Sequence, residues 1–216
     1  MGIATEAPLA KIRAGQVTLE GVFELPDNAS GVVVFSHGSG SGRHSPRNQY
    51  VAAELRRAGL GTLLLDLLTV AEDRNYETRF DIHLLTERLA HAVSYVRKNA
   101  ATRDLPVGLF GASTGAASAL RVAAGMPEAV RAVVSRGGRP DLSGKDALAS
   151  VRAPTLLIVG AEDFGVIELN QAAHDQLTAC KRELVLVPGA THLFEEPGTL
   201  EEVARLAREW FARHLR

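Results

Sequence analysis

The stretch of sequence that decides the fold is PVGLFGASTGAASAL, residues 106–120. Its first residues predict an apolar strand that leads into Gly111-x-Ser113-x-Gly115, and the alanine-rich residues after it predict a helix. With a strand before it and a helix after it, G-x-S-x-G forms a sharp turn that presents the serine above a sheet. The dipole of the following helix favours negative charge at that point. The stretch therefore predicts Ser113 as a catalytic nucleophile.

Short apolar strands alternate with helical segments on both sides of this turn. The predicted strands span residues 16–25, 31–36, 61–66, 107–111, 129–135, 155–160 and 183–187, and the predicted helices span roughly 47–58, 80–99, 114–124, 166–178 and 200–214. Most of the strands are nearly continuous runs of Val, Ile and Leu, which is typical of parallel strands buried on both faces. Only the first strand is expected to be antiparallel. The pattern predicts an α/β fold with a mostly parallel central sheet flanked by helices on both faces.

A histidine and a carboxylate follow the last two predicted strands. In such a sheet the functional side chains lie beyond the carboxyl ends of the strands. A serine hydroxyl needs a base to take its proton, and His192 follows the last strand. Asp163 follows the strand before it, where a carboxylate would orient the imidazole. Glu162, one residue earlier, and Asp141 remain alternatives for the acid.

Two backbone N–H groups are expected to bind the oxyanion that forms when the serine attacks a carbonyl. One is the N–H of Thr114, directly after the nucleophile. The second belongs to the loop HGSGSG, residues 37–42, whose glycines allow a close backbone approach. We assign it to the N–H of Ser39, with Gly40 as the alternative, and we expect His37 to orient the loop through hydrogen bonds.

These motifs together resemble the α/β-hydrolase superfamily. The pair His37-Gly38, the G-x-S-x-G turn, Asp163 and His192 carry the resemblance, which covers nearly the whole chain from about residue 16. The short format is most similar to the dienelactone hydrolase-related branch. The resemblance implies Ser113 as nucleophile, Asp163 as acid and His192 as base. Dienelactone hydrolases proper carry a cysteine nucleophile, so the resemblance does not extend to lactone specificity.

Arginines are unusually frequent among the basic residues. Only four of the 24 Lys and Arg residues are lysines. Arg43 and Arg47 follow the loop of residues 37–42, and Arg136 and Arg139 follow the predicted strand 129–135. We hypothesise that at least one of them binds an anionic group such as a carboxylate or a phosphate. The alternative is that they pair with Asp66, Asp73, Asp141 or other loop acids. His44 is a further candidate for substrate contact.

Composition excludes several classes of protein. The 216 residues are 46% hydrophobic and 23% charged, with a formal charge of −1, which argues against a nucleic-acid or membrane-surface binder. A single cysteine excludes an intrachain disulfide and a thiolate metal cluster. We expect no metal and no organic cofactor. Because the first residues lack a signal-peptide pattern and no apolar run is long enough to span a membrane, we expect a cytoplasmic protein.

The sequence predicts one α/β-hydrolase domain over residues 1–216, without a lid because few residues separate the later strands. We expect a serine esterase that cleaves a small carboxylic ester through an acyl-enzyme. A thioesterase, lactonase or acyltransferase would use the same residues. An inactive scaffold that only binds ligands is the alternative of a different class. Dinucleotide binding is disfavoured because the glycines at 38, 40 and 42 lack the G-x-G-x-x-G spacing. The sequence leaves the natural substrate and the oligomeric state open.

Overall fold

A computed structural model describes residues 9–215 as an eight-stranded sheet between two layers of helices. The order of the strands is β1-β2-β4-β3-β5-β6-β7-β8. β1 pairs with β2 and β2 with β4 in antiparallel fashion, and all other pairs are parallel. The strands are β1 Leu9–Ala14, β2 Val17–Glu24, β3 Val32–Ser36, β4 Gly61–Leu65, β5 Val107–Ala112, β6 Val130–Arg136, β7 Thr155–Gly160 and β8 Arg182–Val187.

Seven α-helices accompany the sheet within residues 9–215. They are α1 Pro46–Arg57, α2 Val70–Asp73, α3 Ile82–Lys98, α4 Thr114–Gly125, α5 Lys145–Ser150, α6 Phe164–Gln176 and α7 Thr199–His214. The core on one face of the sheet includes α1 and α7. The core on the other face includes α3, α4, α5 and α6. This is the predicted arrangement of a mostly parallel sheet with helices on both faces.

The central strands explain the continuous apolar runs of the sequence. Every residue of β3 is buried. Val32 and Val34 belong to the core on one face, whereas Val33 and Phe35 belong to the core on the other. Because successive side chains of a strand point to opposite faces, a strand covered on both sides must be apolar at every position.

β1 was not predicted from the sequence. It is an edge strand in which Ala10, Ile12 and Ala14 are buried and alternate with exposed residues. Two of the three buried residues are alanines, so the alternation in hydrophobicity is weak. The short helices α2 and α5 were also missed, because four and six residues are too few to show helical periodicity.

Helix starts and strand ends meet at one edge of the sheet, the carboxyl edge of its parallel strands. α1 follows β3 after a loop, α4 begins directly after β5, and α6 begins shortly after β7. Between β6 and β7 lie a 3₁₀ turn, Pro140–Ser143, and α5. The absence of a lid, expected because few residues separate the later strands, stays a prediction. Within the described residues, no helix is long and apolar enough to cross a lipid bilayer.

Candidate active site

Ser113 lies in a strained turn between β5 and α4. Its φ of 51° and ψ of −123° are a backbone conformation that non-glycine residues rarely adopt. The turn depends on both flanking glycines. A Cβ on Gly111 would lie 2.5 Å from Ala116 Cα, and one on Gly115 would collide with the carbonyl oxygen of Ser36. Strain of this kind persists where the surrounding structure imposes it, which is a feature of functional sites.

His192 and Asp163 form a close ion-pair geometry at this edge of the sheet. His192 Nδ1 lies 2.6 Å from Asp163 Oδ2, although 29 residues separate them in the chain. The Asp163 side chain is 14% exposed and the His192 side chain 39%. A carboxylate in this position fixes the orientation of the ring and leaves Nε2 free to exchange a proton.

The loop that carries His192 is held in place by its own residues. Glu196 accepts hydrogen bonds from the backbone N–H of Thr191 at 3.1 Å and from its hydroxyl at 2.5 Å. The hydroxyl bond is the main reason why the pKa of Glu196 lies below its usual value. Phe194 is buried and adopts a φ of 56°, which turns the chain towards α7.

Ser113 and His192 line the same cleft, which has a volume of about 260 Å³. Other residues that line it are Ser39, Ser41, Arg47, Arg136 and Leu193. Ser113 Oγ forms no hydrogen bond with any of residues 9–215. The expected hydrogen bond between Ser113 and His192 is therefore not formed in this structure. Such contacts are often long before a substrate binds.

The two predicted oxyanion donors differ in whether their backbone N–H already has a hydrogen-bond partner. The Thr114 N–H has no hydrogen-bond partner among the described residues. The Ser39 N–H donates to Thr114 Oγ1 at 3.0 Å, so it is not free. Gly38 brings the loop against the nucleophile, since a Cβ there would lie 3.0 Å from Ser113 Cβ. The assignment of the second donor to Ser39, with Gly40 as the alternative, therefore stays a prediction.

His37 ties this loop to the next strand end. Its Nε2 accepts a hydrogen bond from the Leu67 N–H at 3.0 Å, and its Nδ1 lies 2.8 Å from the Gly38 oxygen. With Nε2 as acceptor, Nδ1 carries the proton and donates it to Gly38. Burial lowers the pKa of His37, which favours this neutral form. These are contacts that orient a loop.

The alternative acids are placed elsewhere. Asp141 accepts two hydrogen bonds from Arg139, at 2.8 and 2.7 Å. Glu162 is exposed and makes no side-chain contact with His192. Of the three carboxylates considered from the sequence, the structure brings only Asp163 to the histidine.

Three predicted substrate contacts are not supported by the structure. Arg43 binds Asp66 and Glu20 and does not line the cleft. Arg139 is paired with Asp141. His44 is exposed and also lies outside the cleft. The reason is common to both arginines: loop carboxylates nearby neutralise them, which was the alternative open at the level of sequence.

Arg136, in contrast, lies in the cleft without a carboxylate partner. It is 7% exposed, and its Nη2 lies 3.4 Å from Asn48 Oδ1. Its guanidinium lies over the ring of Phe194, 5.9 Å from the centroid. Burial, followed by the nearby charge of Arg47, lowers the pKa of Arg136 to about 10. It remains charged at neutral pH.

Asn48 is a residue of this site that the sequence reasoning missed. It lies on the buried face of α1 together with Val51, Ala52 and Leu55. A polar residue in an apolar stripe at helical spacing is the signal that could have found it.

Within residues 9–215, no cluster of three or more His, Cys, Asp or Glu side chains is arranged to hold a metal ion.

A mostly parallel sheet with Ser, Asp and His at its carboxyl edge, here after β5, β7 and β8, defines the α/β-hydrolase class of protein. The family model of the dienelactone hydrolase family matches residues 19–215. The chain belongs to this family.

Similar solved structures agree with this fold. A dienelactone hydrolase from Anabaena variabilis is 52% identical, with a TM-score of 0.94 over 97% of this chain and 98% of that one. Est1E from Butyrivibrio proteoclasticus is 17% identical, with a TM-score of 0.80 over 95% of this chain and 98% of that one. At such identity the second likeness shows the fold alone.

Two curated proteins of Mycobacterium tuberculosis, from two strains, are 55% identical to this chain over 216 residues. Both bear the provisional name of phosphoribosyl transferase. The alignment covers 98% of this chain but 48% of theirs, so the chain spans about half the length of the curated relatives it matches.

Proposed function

We propose that the protein is a serine hydrolase that cleaves small carboxylic esters through an acyl-enzyme on Ser113. The single observation that carries the proposal is the 2.6 Å contact of Asp163 Oδ2 with Nδ1 of His192, which lines the same cleft as the strained Ser113. The fold and family are those of hydrolases of the esterase type.

The mechanism assigns one step to each side chain. His192 Nε2 takes the proton of Ser113 Oγ as the oxygen attacks the ester carbonyl. The Thr114 N–H, free of other partners among residues 9–215, donates to the oxyanion together with a backbone N–H from residues 37–42. His192 then protonates the leaving alcohol, and water, activated by the same histidine, releases the acid. Asp163 stabilises the imidazolium throughout.

The names of the relatives suggest two further activities. A lactone is a cyclic ester and would follow the same steps, and the relative from Anabaena variabilis bears the name of a lactone hydrolase. The name phosphoribosyl transferase belongs to proteins about twice as long as this chain. We therefore include lactones as a second candidate substrate and do not carry the transferase name over.

The test is hydrolysis of an oxygen ester, the matching thioester and a lactone by wild type, Ser113→Ala and Ser150→Ala. Ser150 is an exposed serine at the end of α5 and serves as the matched control. We expect ester turnover by wild type and Ser150→Ala. Ser113→Ala should lose nearly all turnover and keep the melting temperature of wild type. Ester turnover that survives in Ser113→Ala would contradict the proposal.

A further inference from the structure

One guanidinium at the edge of the cleft has no counter-charge. Arg136 is buried, yet no Asp or Glu oxygen among residues 9–215 lies within 4.0 Å of its nitrogens. Its Nε has no hydrogen-bond partner there either. Taking a charge out of water without pairing it is costly, and proteins avoid it unless something compensates.

The protein contacts of Arg136 compensate only in part. The contact with Asn48 Oδ1 is long for a hydrogen bond, at 3.4 Å, and Asn48 carries no charge. The ring of Phe194 offers a cation–π contact at 5.9 Å, near the outer limit for this interaction. Both contacts orient the guanidinium and leave hydrogen-bonding capacity unused.

Neighbouring arginines show that carboxylates are common at this edge of the sheet. Arg139, three residues after Arg136, has the carboxylate of Asp141 at 2.7 and 2.8 Å. Arg47 lines the same cleft as Arg136 and pairs with Glu195 at 3.0 Å. Of Arg47, Arg136 and Arg139, only Arg136 lacks a carboxylate partner among residues 9–215.

The position of Arg136 connects it to the chemistry. Arg136 lines the cleft of about 260 Å³ that also contains Ser113 and His192. The backbone of the residue is tied to the turn as well, since the Ser113 N–H donates to the Arg136 oxygen at 3.2 Å. An anion bound to this guanidinium would occupy the same small cleft as an ester placed on Ser113.

We propose that Arg136 binds an anionic group, a carboxylate or a phosphate, that the ester substrate carries beside its scissile bond. This inference rests on the proposed function, because it names the class of substrate for the same site. The bound anion neutralises the buried guanidinium through charge-assisted hydrogen bonds.

The experiment compares kcat/KM for two series of esters. In one series the acyl chain of a 4-nitrophenyl ester ends in methyl, carboxylate or phosphonate. In the other, the phenol part of a phenyl acetate carries the same three groups. The proteins are wild type, Arg136→Met and Arg131→Met. Arg131 is the matched control, because it is an exposed arginine at the other end of β6 and does not line the cleft.

We expect wild type to prefer an anionic ester over its neutral counterpart in at least one series. In Arg136→Met the ratio of anionic to neutral kcat/KM should fall about tenfold or more, the factor that loss of one charge-assisted hydrogen bond produces. Arg131→Met should keep the wild-type ratio. Which anionic ester shows the change distinguishes carboxylate from phosphate.

Two results would overturn the proposal. One is a wild type that prefers the neutral ester in both series, a result that needs no variant and does not depend on the folding of Arg136→Met. The other is an equal ratio in wild type and Arg136→Met. A wild type that turns over none of the six esters would contradict the proposed function, and the subsite with it.

Discussion

Asp81 and Asp163 occupy the same position at the start of two different helices and use their carboxylates differently. Asp81 precedes α3 and accepts a hydrogen bond from the Leu84 N–H at 3.0 Å, as residues at helix N-termini usually do. Asp163 precedes α6 but caps nothing, and its carboxylate binds His192 instead. One aspartate follows the local preference of its position, and the other gives it up for a contact 29 residues away.

The same difference separates residues of the cleft from other residues at the carboxyl edge of the sheet. Ser113 at this edge has a positive φ, and Arg136 is buried without a carboxylate. Outside the cleft, in the segment after β4, α2 begins with a complete capping box of Thr69 and Glu72. Departures from local rules therefore concentrate where the chemistry is expected, since strain and unpaired charge persist only where function or packing maintains them.

Replacing Asp81 and Asp163 by asparagine, one at a time, tests most sharply whether the two carboxylates have different roles. Asp163→Asn should lower kcat/KM for ester hydrolysis by about three to four orders of magnitude, because an amide holds the histidine in the wrong tautomer. Asp81→Asn should keep wild-type kinetics, since asparagine also caps helices. Equal kinetic effects of the two substitutions would remove the distinction between the helix starts.

Most of the site residues that the sequence could predict were found by locating the ends of the strands. The predicted strand 155–160 matches β7 Thr155–Gly160, and reading the loops after successive strands led to Asp163 and His192. Asp163 also illustrates the limit, because its sequence context is equally that of a helix cap. Only the packing of β8 beside β7 brings the histidine to it.

The pairing of the arginines could not be predicted. Arg136 ends β6 and Arg139 follows three residues later, so the sequence places the carboxylate of Asp141 within a few residues of both. Asp141 neutralises one, whereas the other turns towards Asn48 of α1. That choice depends on how α1 packs on the sheet, which is a tertiary contact over 88 residues.

Of the two aspartates, Asp81 should contribute more to stability, although Asp163 should contribute more to activity. Asp81→Ala should lower the free energy of unfolding by about 1 kcal/mol, the usual cost of losing a capping side chain. Asp163→Ala should lower it less, because no helix N–H loses a partner. Urea unfolding of both variants measures this. A larger loss in Asp163→Ala would mean that its carboxylate serves mainly to hold the fold.

A smaller effect is expected from His37, a histidine of the same edge whose two nitrogens are both engaged. Burial lowers its pKa in the folded state below the ordinary value of 6.5. The unfolded chain therefore binds more protons below that pH, so stability is complete above it and declines as the pH falls. Between pH 7.5 and 5.5, wild type should lose more unfolding free energy than His37→Gln. An equal loss in both proteins would show that His37 is not the group responsible.

The most direct test of Ser113 as the nucleophile is covalent labelling with a fluorophosphonate, read by intact mass and peptide mapping. Such reagents form a covalent bond with an activated serine, and an ordinary surface serine does not react. The assignment of Ser113 as the nucleophile predicts one label per wild-type chain, located on Ser113, with Asp163→Asn labelled far more slowly and Ser113→Ala not at all. A wild type that takes no label, or a Ser113→Ala variant that still does, would contradict it.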